Sequence, residues 1–137
     1  QWLHHEVHKE HEVLKGNSKL ANQILGAAIA VHKELGPGLL ESAYQHCLAH
    51  EFTLRKIEFM AEYPLPVHYK EIELECGYRL DFLVEDQIVL ELKSVESVQG
   101  IHQAQLLTYM RLAEKQHGFL INFNVELLKQ GIKSFVL

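Results

Sequence analysis

Residues 77–95, GYRLDFLVEDQIVLELKSV, constrain this chain more than any other stretch. Two apolar runs, GYRLDFLV and IVLELKSV, flank the polar triplet Glu85-Asp86-Gln87, which predicts two strands joined by a tight turn. Side chains alternate along a strand, so Val89, Glu91, Lys93 and Val95 fall on one side and Ile88, Leu90, Leu92 and Ser94 on the other. A carboxylate and an ammonium then project from a strand apolar enough to lie inside a sheet. A hairpin turning at about Asp86 also sets Asp81 roughly opposite Glu91.

Burying a charge without a partner is very costly, and even a buried pair rarely adds net stability. Acids and a lysine on a half-exposed hairpin are more often a solvated face or a cross-strand ion pair worth a fraction of a kcal/mol. Two acids and a lysine held on one buried face are instead the arrangement that magnesium-dependent phosphodiester cleavage requires. The remainder of the chain has to decide between the two.

At 137 residues the chain fits one domain with a core large enough to need no disulfide staples. Apolar residues make up 47% and charged residues 23%, an ordinary globular balance. No apolar run reaches the length of a membrane span, and the first residues lack a basic-then-apolar signal pattern, so no membrane partner is expected. Cys47 and Cys76 match no paired or zinc spacing, which points to free thiols and a cytoplasmic location. The net charge of −5 argues against tight, nonspecific nucleic-acid binding, which usually carries a basic footprint.

Residues 1–17 read as a histidine-rich extension and 18–137 as the domain proper. His4, His8 and His11 would share one helical face, where metal binding competes with a plain polar helix. Gly16-Asn17-Ser18 predicts a break and a cap. Leu20, Ile24, Ala27, Ala28, Val31 and Leu35 then mark an amphipathic helix ending at Gly36-Pro37-Gly38, with His32 and Lys33 on its solvated side. A second helix runs from near Leu39 toward Arg55, with Glu41 in its first turn. Residues 58–66 turn extended, with Pro64 and Pro66 marking an edge or an irregular strand, and Val67–Cys76 reads as a further strand. After Lys93, residues 101–112 follow helical spacing with Gln105 and Tyr109 on one face. FLINF and residues 132–137 supply two more strands, linked by a polar connection with room for one helical turn.

GLLESAY, residues 38–44, fits the GxxExxY signature, and Glu91-Leu92-Lys93 with Gln105 and Tyr109 as QxxxY resembles the PD-(D/E)XK nuclease superfamily, its RecB-like branch in particular. The resemblance runs from about residue 18 to the C-terminus, with Leu80 standing where the motif's proline would be. It implies a single-domain, restriction-endonuclease-like α/β core, a mixed β-sheet flanked by helices in αβββαβ order.

The resemblance also implies roles. Asp81 and Glu91 match the two motif acids, Lys93 the catalytic lysine, and Gln105 and Tyr109 the pair that orients the site or the strand. Glu41 matches the acid that the first core helix often adds. Asp81, Glu91, Glu41 and the backbone carbonyl of Leu92 would then hold Mg²⁺ or Mn²⁺, and Lys93 would position or deprotonate the attacking water. His102 and Arg79 are weaker candidates, Tyr44 and Tyr78 packing residues. The expected function is a divalent-metal-dependent nuclease acting on nucleic acid, DNA ahead of RNA, with room for a homodimer or a larger assembly. The rival is a catalytically silent nuclease-fold binding or scaffold protein, which the negative charge suits.

Overall fold

The computed structural model describes the backbone of residues 2–137 and the side chains of residues 19–137. The histidine face of residues 4, 8 and 11 lies outside the described side chains. Helix α1 runs Trp2–Leu35 and α2 Glu41–Leu54. Strands β1 (Phe59–Tyr69), β2 (Ile72–Val84) and β3 (Ile88–Lys93) follow, then helix α3 (Gly100–Ala113). Strand β4 (His117–Asn122), a 3₁₀ turn (Leu128–Gly131) and strand β5 (Ile132–Val136) complete the chain. The sheet order is β1-β2-β3-β4-β5. Only β3 and β4 pair in parallel, with α3 as the crossover between them; the other neighbours are antiparallel. This is the mixed sheet flanked by helices, in the α/β class, that the sequence predicts.

Alternation along β3 and β4 sorts the core into two layers. Ile88, Leu90 and Leu92 join Phe82, Val84, Phe119 and Ile121 beneath α1 and α2. Val89 faces the other way, with Leu80, Leu83 and Leu120, beneath Leu106, Tyr109 and Met110 of α3. Strand β3 is buried on both faces except at Lys93, as a central strand with a parallel neighbour should be. Pro64 and Pro66 sit on β1, the edge strand, where a missing N–H costs least.

Three expectations are corrected. Helix α1 continues through residues 16–18 without the anticipated break; a helical glycine costs only about 1 kcal/mol, which the turns on either side absorb. Val67–Cys76 is not one strand: it folds over between Tyr69 and Ile72, so β1 and β2 form one long hairpin. Its turn is made by Lys70 at φ 53° and Glu71, with no glycine or Asn-Gly pair to announce it. His32 is buried rather than solvated, its Nε2 bonded to the Val125 carbonyl at 2.8 Å and its ring 6.2 Å from Phe123. The loop after β4 covers that side of α1, which helical periodicity alone does not reveal.

The return from β4 to β5 is tight. A Cβ on Gly131 would stand 2.1 Å from the backbone oxygen of Asn122, with no flexible side-chain end to yield. Gly131→Ala is therefore expected to destabilise the fold by about 2–3 kcal/mol. Gly100→Ala, which meets nothing within 4 Å, should stay within about 1 kcal/mol of the parent. Urea denaturation of the two variants side by side measures the difference; equal midpoints would show that the turn relaxes freely.

Candidate active site

The backbone ladder between β2 and β3 runs from Val84↔Ile88 to Phe82↔Leu90 and stops there. One step further, Asp81 and Glu91 take over with their side chains. The Asp81 N–H donates to Glu91 Oε2 at 2.8 Å, and the Leu92 N–H donates to Asp81 Oδ2 at 2.8 Å. Each acid thus satisfies a backbone donor that the end of the ladder would orphan. Asp81 does lie opposite Glu91, as the turn position predicts. Structural capping needs only a neutral acceptor, so the ionisable character of this pair calls for another explanation.

More charge surrounds the pair. Burial pushes the Asp81 carboxyl up to about 6; the Leu92 N–H and the Lys93 ammonium pull down while Glu41 and Glu62 push up. Burial, then the Asp81 charge, pushes Glu91 up to about 8, with Glu41 adding to the rise and the Asp81 N–H and Lys93 opposing it. Glu91 is only 6% exposed. The pair therefore holds about one shared proton near neutrality, the behaviour of carboxyls that cannot both ionise without a compensating cation.

Lys93 leaves the same face of β3 one alternation beyond Glu91. Its Nζ donates to Gln105 Oε1 at 3.4 Å, and Gln105 Nε2 donates to the Tyr109 hydroxyl at 3.2 Å. Gln105 and Tyr109 are one turn apart on α3, so the expected pair does meet the expected lysine. Burial also raises the Tyr109 hydroxyl above its ordinary value, which keeps it neutral. The end of β3 is pinned as well. Ser94 Oγ donates to the Leu39 carbonyl at 2.5 Å, and the buried Asn122 amide bonds both Val95 N (3.1 Å) and Val95 O (2.9 Å).

Helix α2 is fixed by the loop before it. Buried Tyr44 stacks on Phe123 at 4.4 Å, its hydroxyl donates to the Gly36 carbonyl at 2.5 Å, and the Leu39 N–H donates to that hydroxyl at 3.2 Å. Glu41 thereby starts α2 beside the two acids; it is exposed, and it acts on them through its charge. One turn later Gln45 donates to Glu62 Oε2 at 3.0 Å and to the Asp81 carbonyl at 3.4 Å. Sequence reasoning missed Gln45 and Glu62. Gln45 could have been found four residues after Glu41 on the same helical face. Glu62 could not, because it sits on an edge strand at φ 54°, outside any regular alternation.

The weaker candidates take structural places. His102 Nδ1 accepts the Gln99 N–H at 2.9 Å in a reciprocal cap of α3. Arg79 is exposed and donates to the neighbouring Tyr78 carbonyl at 3.1 Å. A larger hollow, about 910 Å³, lies elsewhere, around Lys56, Phe59, Met60 and Asp86. The acids there are already engaged, Glu85 by the Glu58 N–H at 3.0 Å and Asp86 by Lys115 at 3.0 Å. Size therefore does not select the site.

Among the described residues no three His, Cys, Asp or Glu side chains form a ready metal group. The donor chemistry nonetheless fits a hard divalent cation at one place. Asp81 Oδ1 and Glu91 Oε1 accept nothing from the described residues, and both carboxyls bind protons abnormally tightly. Glu41 does not close the set, because a solvated carboxylate is repelled by two others.

A family model described as the PD-(D/E)XK nuclease superfamily matches residues 18–135. A search of curated proteins returned no significant match, and neither did a search of solved structures. Among the described residues no helix is long and apolar enough to cross a membrane.

Proposed function

Because the chain belongs to the PD-(D/E)XK nuclease superfamily, we propose that this site hydrolyses phosphodiester bonds of nucleic acid, DNA ahead of RNA, with a divalent cation. The carrying observation is the clasp of Asp81 and Glu91 beside Lys93: two buried carboxyls with raised proton affinity, next to a lysine steered by Gln105. A silent scaffold would gain nothing from keeping such costly charges at the end of a central strand. Gly38–Tyr44 and the Gln105–Tyr109 pair further lead us to assign the chain to the GxxExxY group in the RecB-like branch.

Asp81, Glu91 and the Leu92 carbonyl would hold Mg²⁺ or Mn²⁺, and Glu41 would join them once the cation offsets its repulsion by the two acids. When bound, that ion supplies charge neutralisation on the phosphate and makes water acidic enough to attack. Lys93 orients the attacking water and takes its proton or, in its charged form, stabilises the pentacovalent phosphorane-like charge. Gln105 holds the lysine amine in place through its Oε1, and Tyr109 anchors the other end of the amide by accepting from Nε2.

The test incubates the protein with single- and double-stranded DNA and RNA, with Mg²⁺ or Mn²⁺ and with chelator. Cleavage that needs the cation and disappears in Glu91→Ala is expected. Tight binding without cleavage on every substrate would overturn the enzyme reading in favour of a scaffold.

A further inference from the structure

The β1–β2 hairpin outruns the rest of the sheet. Residues 72–79 of β2 pair only with β1 and are all exposed, so the hairpin extends past β3 as a two-stranded arm. Its two faces differ sharply. Ile72, Leu74 and Tyr78 pair with Tyr69, Val67 and Leu65 and share the face on which Val67 and Tyr78 line a common groove, whereas Glu73, paired with His68, takes the other.

Between the arm and α3 runs a groove of about 560 Å³, within the range of small-ligand sites. Val67 and Tyr78 line it from the arm, Ile101, His102 and Tyr109 from the helix, and Lys93 belongs to it too. The Tyr78 ring lies 6.0 Å from that of Tyr109, yet Tyr78 is 44% exposed and Ile101 is 72% exposed. An aromatic and a large aliphatic side chain left open beside a candidate catalytic lysine are poorly placed for packing alone.

We infer that this groove takes an unstacked base of single-stranded nucleic acid, stacked against Tyr78 beside Lys93, so that the site acts on unpaired strands or frayed ends rather than on intact duplex. The inference rests on the nuclease reading above and narrows its substrate. The lining supports it: flat π-faces and aliphatic walls suit a base, which any sequence supplies. The charges support it as well. Among the residues lining the groove Lys93 is the sole lysine or arginine, and the arm's own cations, Lys70 and Arg79, are outnumbered by Glu71, Glu73 and Glu75. Two closely spaced rows of duplex phosphates would find no basic track here. A single strand can present one phosphate to the acids' cation and turn its base into the groove.

The test measures fluorescence anisotropy of labelled oligonucleotides in Ca²⁺ or chelator, with cleavage in Mg²⁺ or Mn²⁺ run in parallel. Three probes are compared: a mixed-sequence single strand, the same backbone with abasic positions, and the matching duplex. The single strand is expected to bind at least tenfold tighter than either of the others. Tyr78→Ala should weaken it about 5- to 50-fold and leave the duplex unchanged, while Tyr78→Phe restores the parent value. Circular dichroism confirms that the exposed position tolerates the change. Equal affinity for abasic and base-bearing strands, duplex binding as tight as single-strand binding, or indifference to Tyr78→Ala would each overturn the inference. Base-dependent binding with no cleavage of any probe would support the groove while sinking the nuclease reading alone.

Discussion

Lys93→Ala should lower kcat for phosphodiester cleavage by about 10²–10⁴-fold, the usual worth of a positioned proton-transfer or charge-stabilising group. Substrate affinity should fall far less than kcat, and melting temperature should drop modestly at pH 8, because Lys93 is the cation that opposes the raised carboxyls. The side chain is half-buried at the mouth of the site and its one recorded bond, to Gln105 at 3.4 Å, is weak enough to contribute little to stability. Lys93→Arg should fall nearly as far. A guanidinium cannot give up its proton at working pH, and its planar fork does not fit the single Gln105 oxygen. Gln105→Ala should cost about tenfold, since it acts through the lysine, and a Gln105→Glu variant should recover less than half of that loss. Steady-state kinetics on one oligonucleotide in Mn²⁺ checks all four variants. Parent-level turnover in Lys93→Ala would remove the lysine from the chemistry.

What made this site legible was the hairpin. Its turn triplet and its two apolar runs set the register, and Asp81 followed from counting back across the turn to Glu91. The layered core followed from alternation, because a strand buried on both faces leaves no ambiguity about which residues share a side. The length of the arm was hidden, since Lys70 and Glu71 make a tight turn with residues that carry no turn signal. His32 was misread because the partner that buries it, the Val125 carbonyl, lies 93 residues away in an irregular loop. Glu62 was invisible for a similar reason: an edge-strand glutamate looks solvated until Gln45 and Asp81 are seen next to it. The clamp by Asn122 was within reach, because a lone amide inside the apolar run FLINF demands a buried partner.

The titration of the acid pair makes a second large effect testable without any substrate. Asp81 stands at about 6 and Glu91 at about 8 in the folded chain, both above the ordinary carboxylate range they regain on unfolding. The folded state therefore binds protons more tightly than the unfolded one. Its stability from these groups is complete below about pH 4 and is lost as pH rises through 6 toward 8. The loss is on the order of a few kcal/mol, which for a domain of this size corresponds to roughly 5–10 °C in Tm. Glu91→Gln should flatten that slope and, in chelator at pH 8, melt above the parent, since the amide oxygen can still accept the Asp81 N–H without ionising. Glu71→Gln, at the exposed tip of the arm, subtracts the general effect of one fewer negative charge. Adding Mn²⁺ should reverse the parent's loss, with a Tm gain larger at pH 8 than at pH 6 because the ligands must shed their proton, and with little gain in Glu91→Gln. A parent Tm in chelator that climbs between pH 6 and 8, or a Mn²⁺ gain that ignores pH, would show that the two carboxyls are ionised independently of any cation and hold the strands together merely as caps.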